Sequence, residues 1–239
     1  MGSFGDAVGS ALQLVAAADA RLLGIVALSL AVSAAACAAA ALIGIPGGAL
    51  LAVLRFPGRR ALLLLLHTLL ALPSVVVGLT VYLLLSRAGP LGAWGILFTP
   101  TAMAVAQTLL VLPLVAALTR QLVADAMHGN AEQLRSMGAT PLQLAALLLL
   151  HERAALATVL LSAFGRAVSE VGAVMIVGGN IDGVTRVMTT TIALETSKGD
   201  LPLALGLGLV LLGVVACINL AIAWLRGGAR RRLAFAPTA

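Results

Sequence analysis

Apolar residues run along this chain in long blocks, and polar residues gather between the blocks rather than alternating with them. A bilayer core of about 30 Å takes roughly 20 apolar residues in a helix. Five stretches meet that length: residues 22–54, 61–85, 99–119, 154–177 and 203–225. The first is long for one crossing and contains Pro46-Gly47-Gly48. It predicts either a bend at Pro46 or an extension beyond the membrane. Pro73 and Pro113 predict kinks in the second and third stretches. Thr99 suits a cap and Pro100 the first helical position of the third. Residues 1–20 lack a basic start, and Asp6 is their first charge, which argues against a signal peptide. A short interfacial helix is expected there, with Leu12, Leu14 and Val15 at the headgroups.

The longest mixed-polarity segment, residues 129–153, separates the third and fourth blocks. Asn130 followed by Gln133 has capping-box spacing and predicts a short helix over 131–137. Gly138 suits the left-handed position that ends a helix. Thr140, Pro141 and Gln143 then write a second start: cap, first-turn proline and returning amide. The segment reads helix, glycine break, helix. A helix of about two turns is marginal alone in water, so it must dock on its own membrane domain or on a partner.

Composition supports the membrane reading. Of 239 residues, 61% are hydrophobic and 10% charged, against about 25% charged in soluble domains. The net charge of +6 would suit a nucleic-acid binder, but the positions of the cations point elsewhere. Arg55, Arg59, Arg60, Arg120, Arg135, Arg153, Arg226, Arg230, Arg231 and Arg232 follow the odd-numbered blocks. Only Arg21, Arg87, Arg186 and Lys198 fall on the other side. The positive-inside rule then predicts an external N-terminus and a cytoplasmic C-terminus, with residues 227–239 as a basic cytoplasmic tail.

No catalytic triad, metal-ligand spacing or nucleotide-binding loop is present, so no catalytic, cofactor or metal residue is predicted on this chain. Cys37 and Cys217 lie in apolar runs and read as small buried hydrophobes. Gln107 is a lone polar group in the third block and reads as interhelical glue. Arg166 and Glu170 sit four apart in the fourth block and are expected on one helix face, turned to the bundle interior. Two readings stay open: the pair fixes packing, or with Ser169 it borders a path for an anion. Residues 180–200 carry too many hydroxyls, Thr185, Thr189, Thr190, Thr191 and Thr196, to face lipid. They predict a helix capped by Thr185, running to about Ser197 and covered by protein or water. Its start near Thr185-Arg186 would offer free N–H groups to an oxyanion.

Glu132-Gln133-Leu134 followed by Gly138-Ala139 resembles the cytoplasmic EAA loop of ABC-importer permeases, with Gln133 and Leu134 in place of the two alanines. The run from Phe164 to Ile181, with SEVGAVMIVGGNI and the following TRVMTTTIALETSKGD, is similar to permeases for molybdate, tungstate and sulfate, and most similar to tungstate-importer permeases. The resemblance implies an all-α, type I importer transmembrane domain over residues 21–226. It also implies a second copy of the chain, two cytoplasmic ATPase subunits carrying ATP and Mg, and an extracytoplasmic oxyanion-binding protein, in the cell (inner) membrane of a bacterium or archaeon. It places coupling to the ATPase at Glu132, Gln133, Leu134, Arg135, Gly138 and Ala139. The expected path or gate comprises Arg166, Ser169, Glu170, Asn180, Arg186 and Thr189.

The expected function is therefore ATP-driven import of an oxyanion, tungstate first, with molybdate or sulfate as alternatives. An ion-coupled secondary transporter using Arg166 and Glu170 is the competing class. It predicts transport by the isolated chain, and inverted repeats, usual in many such folds, are not visible in the sequence.

Overall fold

The computed structural model describes residues 5, 8, 9, 13 and 20–234, without the side chains of 20, 21, 129–133, 135, 221, 222 and 225–234. Most of the expected interfacial segment, including Leu12, Leu14 and Val15, lies outside the described residues. So do residues 235–239 of the basic tail.

The described residues form nine α-helices: α1 (Ala20–Val53), α2 (Arg59–Leu70), α3 (Ser74–Leu85), α4 (Pro100–Ser136), α5 (Pro141–His151), α6 (Arg153–Val168), α7 (Gly172–Gly178), α8 (Met188–Lys198) and α9 (Leu201–Ala234). A 3-10 turn at Gly92–Trp94 precedes α4. The stretches Leu22–Val53, Pro100–His128 and Leu201–Leu220 are each long and apolar enough to cross a membrane. Counting each of the bent pairs α2–α3 and α5–α6 as one span gives up to five candidate spans.

Proline explains some of the breaks. Pro73 disfavours helical backbone at the residue before it, and α2 ends at Leu70 before α3 starts at Ser74. The kink expected in the second stretch is thus a full break. Pro46 and Pro113, by contrast, lie inside continuous helices. At 34 residues α1 is about 51 Å long, and it runs through Pro46 without a break. In the basic tail, α9 continues without interruption to Ala234.

Two further expectations are corrected. The third helix does not stop near Thr119: α4 runs on to Ser136, and Asn130 lies within it rather than capping a new helix. Extending a formed helix avoids a second nucleation, which outweighs the roughly 1 kcal/mol cost of Gly129 in a helix interior. The fourth stretch is not one helix either: α6 ends at Val168, and α7 begins at Gly172. It is also bent at its start, where α5 and α6 meet at 79° around Glu152.

Contacts divide the chain into two compact units. One comprises α1 as far as Ala36, Leu72–Leu110 and Gly165–Ala216. Its core joins Val77, Val81 and Leu85 of α3 to Ala102 and Ala106 of α4 and Ala173 and Val177 of α7. The approach is close: a Cβ on Gly78 would lie 2.7 Å from the Ala173 Cα. Small residues of this kind hold helices together in lipid, where packing rather than water exclusion drives association.

The other unit comprises Cys37–Ala71, Val111–Phe164 and Cys217–Ala239. Here Ala49 and Val53 of α1 pack with Val123 of α4 and with Leu144, Ala145 and Leu148 of α5. Gly48 brings α1 against the Ala116 carbonyl, leaving no room for a side chain. The Cys37 thiol donates to the Leu160 carbonyl at 3.4 Å, and Arg59 Nε donates to the Leu51 carbonyl at 2.9 Å. Cys37 is buried, as expected, whereas Cys217 is exposed.

Candidate functional site

The break between α6 and α7 frees backbone groups that a continuous helix would satisfy internally, and in hydrocarbon each would be costly. Side chains take them up. The Ala167 carbonyl accepts from Gln107 Nε2 at 2.9 Å and from the Glu170 amide at 3.1 Å. The Arg166 carbonyl accepts from the Ser169 hydroxyl at 3.1 Å. The Glu170 carbonyl accepts from the Thr189 hydroxyl at 2.8 Å. At the start of α7 the Ala173 amide donates to Glu170 Oε1 at 3.3 Å.

Glu170 is the centre of this arrangement. Its Oε2 meets Arg166 Nη1 at 2.8 Å. The pair forms as the four-residue spacing predicts, although Glu170 stands in the break rather than on a continuous helix with Arg166. The two partners differ in surroundings: the Glu170 side chain is 4% exposed and that of Arg166 45%. Ser169 is exposed beside Arg166. The break thus buries an anion and presents its cation and a hydroxyl outward.

The remaining predicted path residues sit differently. The helix α8 starts at Met188, not at Thr185. Thr185 is no cap: its hydroxyl accepts from the Ile181 amide at 2.9 Å and donates to the Gly178 carbonyl at 2.6 Å. Thr190 takes the capping role, accepting from the Val187 amide at 3.1 Å. The helix start expected near Thr185-Arg186 therefore falls at Met188, and Thr189, Thr190 and Thr191 are buried there. Of the five hydroxyls expected to be kept from lipid, Thr185 is buried with these three, whereas Thr196 is exposed. Arg186 braces its own loop, donating from Nη2 to the Asn180 carbonyl at 3.4 Å and pairing with Asp182 at 3.0 Å. Asn180 has a positive φ of 50° and donates from Nδ2 to the Thr190 carbonyl at 3.5 Å. So Arg166, Ser169, Glu170 and Thr189 come together at the break, whereas Asn180 and Arg186 build the loop before α8.

The predicted coupling segment is well defined at its glycine. The Ala139 amide donates to the Leu134 carbonyl at 3.1 Å, across Gly138 with φ of 83°. This is a Schellman ending, with Gly138 at the left-handed position. The second start is also present. Thr140 is the N-cap, its amide donates to Gln143 Oε1 at 2.9 Å, and the Gln143 amide returns to the Thr140 hydroxyl at 3.4 Å. Leu134 packs on the core around Val123 and Leu144. Met137, Ala139, Gln143 and Leu147 line a cleft over Gly138. The side chains of Glu132, Gln133 and Arg135 lie outside the described residues.

Sequence reasoning missed two features here. One is the break itself, signalled by Ser169-Glu170 followed by Gly172. The other is the α3–α7 approach, for which Gly78 is the signal.

Apolar helices of spanning length mark a multi-pass membrane protein. Residues 44–234 match the family described as "Binding-protein-dependent transport system inner membrane component", and the chain belongs to that family. It is an inner-membrane permease component of an ABC transporter, not an enzyme, and the family works with an ABC ATPase and a substrate-binding protein.

The chain is 44% identical over 213 residues to the tungstate uptake system permease protein TupB of Peptoclostridium acidaminophilum, covering 89% of this chain and 93% of that protein. It is 40% identical over 203 residues to a probable anion ABC transporter permease protein of Haloferax volcanii, covering 83% and 88%. The sulfate transport system permease protein CysT of Escherichia coli is 31% identical over 187 residues, covering 75% and 67%.

Proposed function

We propose that this chain is the permease of an ATP-driven tungstate importer. The observation that carries the reading is the 44% identity to a tungstate uptake permease along nearly the whole of both chains. The lower identity to sulfate permeases, 31% over 187 residues, makes sulfate the less favoured cargo.

One coupling segment serves one ATPase subunit, so two copies of the chain assemble around a central path and two ATPases bind beneath. ATP and Mg reside on the ATPases. The N-terminus is outside and the C-terminus cytoplasmic, in keeping with the excess of arginine after the odd-numbered blocks. The turn from Leu134 through Gly138 to Thr140, with Glu132, Gln133, Arg135 and Ala139, receives the ATPase movement. Its two well-formed helix ends support a segment rigid enough to transmit force. The path runs past Arg166 and Ser169, whose exposure on a broken span calls for water or protein over them rather than lipid. Glu170 and Thr189 hold that wall, and Asn180 and Arg186 shape the outer loop. An extracytoplasmic binding protein delivers the oxyanion and does most of the selecting.

Co-reconstitution of this chain with its ATPase and binding protein in vesicles tests the reading. Tungstate uptake is expected only with ATP and both partners. Uptake by the chain alone on an ion gradient would instead favour secondary transport. Calorimetric titration of the binding protein with tungstate, molybdate and sulfate identifies the cargo.

A further inference from the structure

We propose that Glu170 is a resident stand-in for the transported dianion, and that the oxyanion binds Arg166 by exchange with it. The inference rests on the oxyanion reading above and adds how the path holds and releases its cargo.

Three observations carry it. First, the ion pair is one-sided. Glu170 is shielded at 4% exposure, while Arg166 remains 45% exposed and meets Glu170 through Nη1. A guanidinium has five N–H donors in a planar fork, and that fork fits tetrahedral oxyanions as well as carboxylates. Second, Ser169 is exposed next to Arg166. Its hydroxyl lies on the Arg166 carbonyl at 3.1 Å, and rotation about its side-chain bond turns it to an incoming oxygen. Third, Glu170 keeps a partner when Arg166 leaves: its Oε1 accepts from the Ala173 amide at 3.3 Å, and Thr189 holds its carbonyl at 2.8 Å. The carboxylate is thus not orphaned by the exchange, which would otherwise be prohibitive for a buried charge.

The exchange explains how a cation can line a path without trapping a dianion. When the path is empty, Glu170 neutralises Arg166. When the dianion arrives, it must displace a carboxylate already in place, so only the difference between the two interactions is available for binding. Transport requires such weak holding.

Equilibrium dialysis tests this on the detergent-purified complex of the chain with its ATPase, without binding protein or nucleotide. Tungstate is the probe and bound tungsten the readout. The wild type is expected to bind weakly. Glu170→Gln keeps an acceptor for the Ala173 amide but removes the competing charge, and is expected to bind roughly tenfold tighter or more. A merely structural role for Glu170 gives no such gain. Arg166→Gln is expected to lose binding, and Arg166→Lys to retain it. Equal or weaker binding by Glu170→Gln, or wild-type binding by Arg166→Gln, overturns the proposal. If Glu170→Gln does not purify as a single species, the Arg166→Gln and Arg166→Lys pair decides: loss with retention supports the exchange, and equal binding by both overturns it. Sulfate and molybdate share the charge and shape of tungstate, so this outcome is separate from the uptake assay that tests the cargo.

Discussion

The Thr189 hydroxyl and the Glu170 carbonyl, 2.8 Å apart, tie the start of α8 to the break between α6 and α7. Both residues are buried. Thr189→Val keeps the shape and removes the donor, leaving a buried carbonyl short of a partner. The expected cost is about 1–3 kcal/mol, read as a lower unfolding temperature in detergent. Thr189→Ser is expected to restore most of it.

Gln107 makes an instructive contrast. Its Nε2 also serves the break, at the Ala167 carbonyl, but that carbonyl keeps the Glu170 amide. Its Oε1 is buried and has no partner among the described residues. Gln107→Leu therefore removes one bond and one unsatisfied acceptor together. Its expected effect stays within about 1 kcal/mol, smaller than that of Thr189→Val. Parallel thermal melts of the two variants check the order.

The glycines divide in the same way. Gly78→Ala sets a Cβ 2.7 Å from backbone at Ala173, which cannot give as a side-chain tip would. A loss of about 1–3 kcal/mol is expected from overpacking, seen as reduced stability in a melt. Gly47→Ala meets nothing within 4 Å, and helix propensity alone predicts a gain of up to about 1 kcal/mol.

How far the sequence reveals this architecture depends on the kind of signal. Block length and residue type are local, so the five stretches, the Gly138 ending and the Thr140 cap are all legible without coordinates. The Asn130 cap misleads because a cap signal has meaning only where a helix must start, and α4 was already running. The end of α6 at Val168 has only Ser169-Glu170 and Gly172 as a local sign within a long apolar stretch; the partners that take up its freed groups, Gln107 and Thr189, are distant in sequence. Arg166 and Glu170 are legible as a pair from their spacing, but their unequal exposure is not. Glu170 is held from two sides, its carboxylate by the Ala173 amide and its backbone carbonyl by Thr189, and no spacing rule encodes the second of these.

Gly138 has φ of 83° with open space around it, so only backbone strain opposes a side chain there. Gly138→Ala is expected to cost about 1–2 kcal/mol, and Gly138→Asn less. In reconstituted vesicles Gly138→Ala is expected to lower uptake while ATP hydrolysis continues. Unchanged uptake per ATP would remove Gly138 from the coupling path.

The Thr140–Gln143 box gives a milder test of the same segment. Thr140→Ala removes the side-chain cap of α5 and is expected to cost about 1 kcal/mol. Gln143→Ala is expected to have a similar effect, and the double variant to cost less than the sum, because both act on one reciprocal pair. A double-mutant cycle from thermal melts reads the shortfall.

The uninterrupted course of α4 from residue 111 to Ser136 has a mechanical meaning. Those residues form a stiff bar about 39 Å long, not a rod followed by a separate short helix on a joint. Gly48, seated without clearance on the Ala116 carbonyl, is where that bar bears on α1. On the coupling proposed above, a push at Leu134 is not absorbed locally. It arrives at α1 as a tilt, and the size of the stroke is set by how far Leu134 stands from Ala116 along the helix.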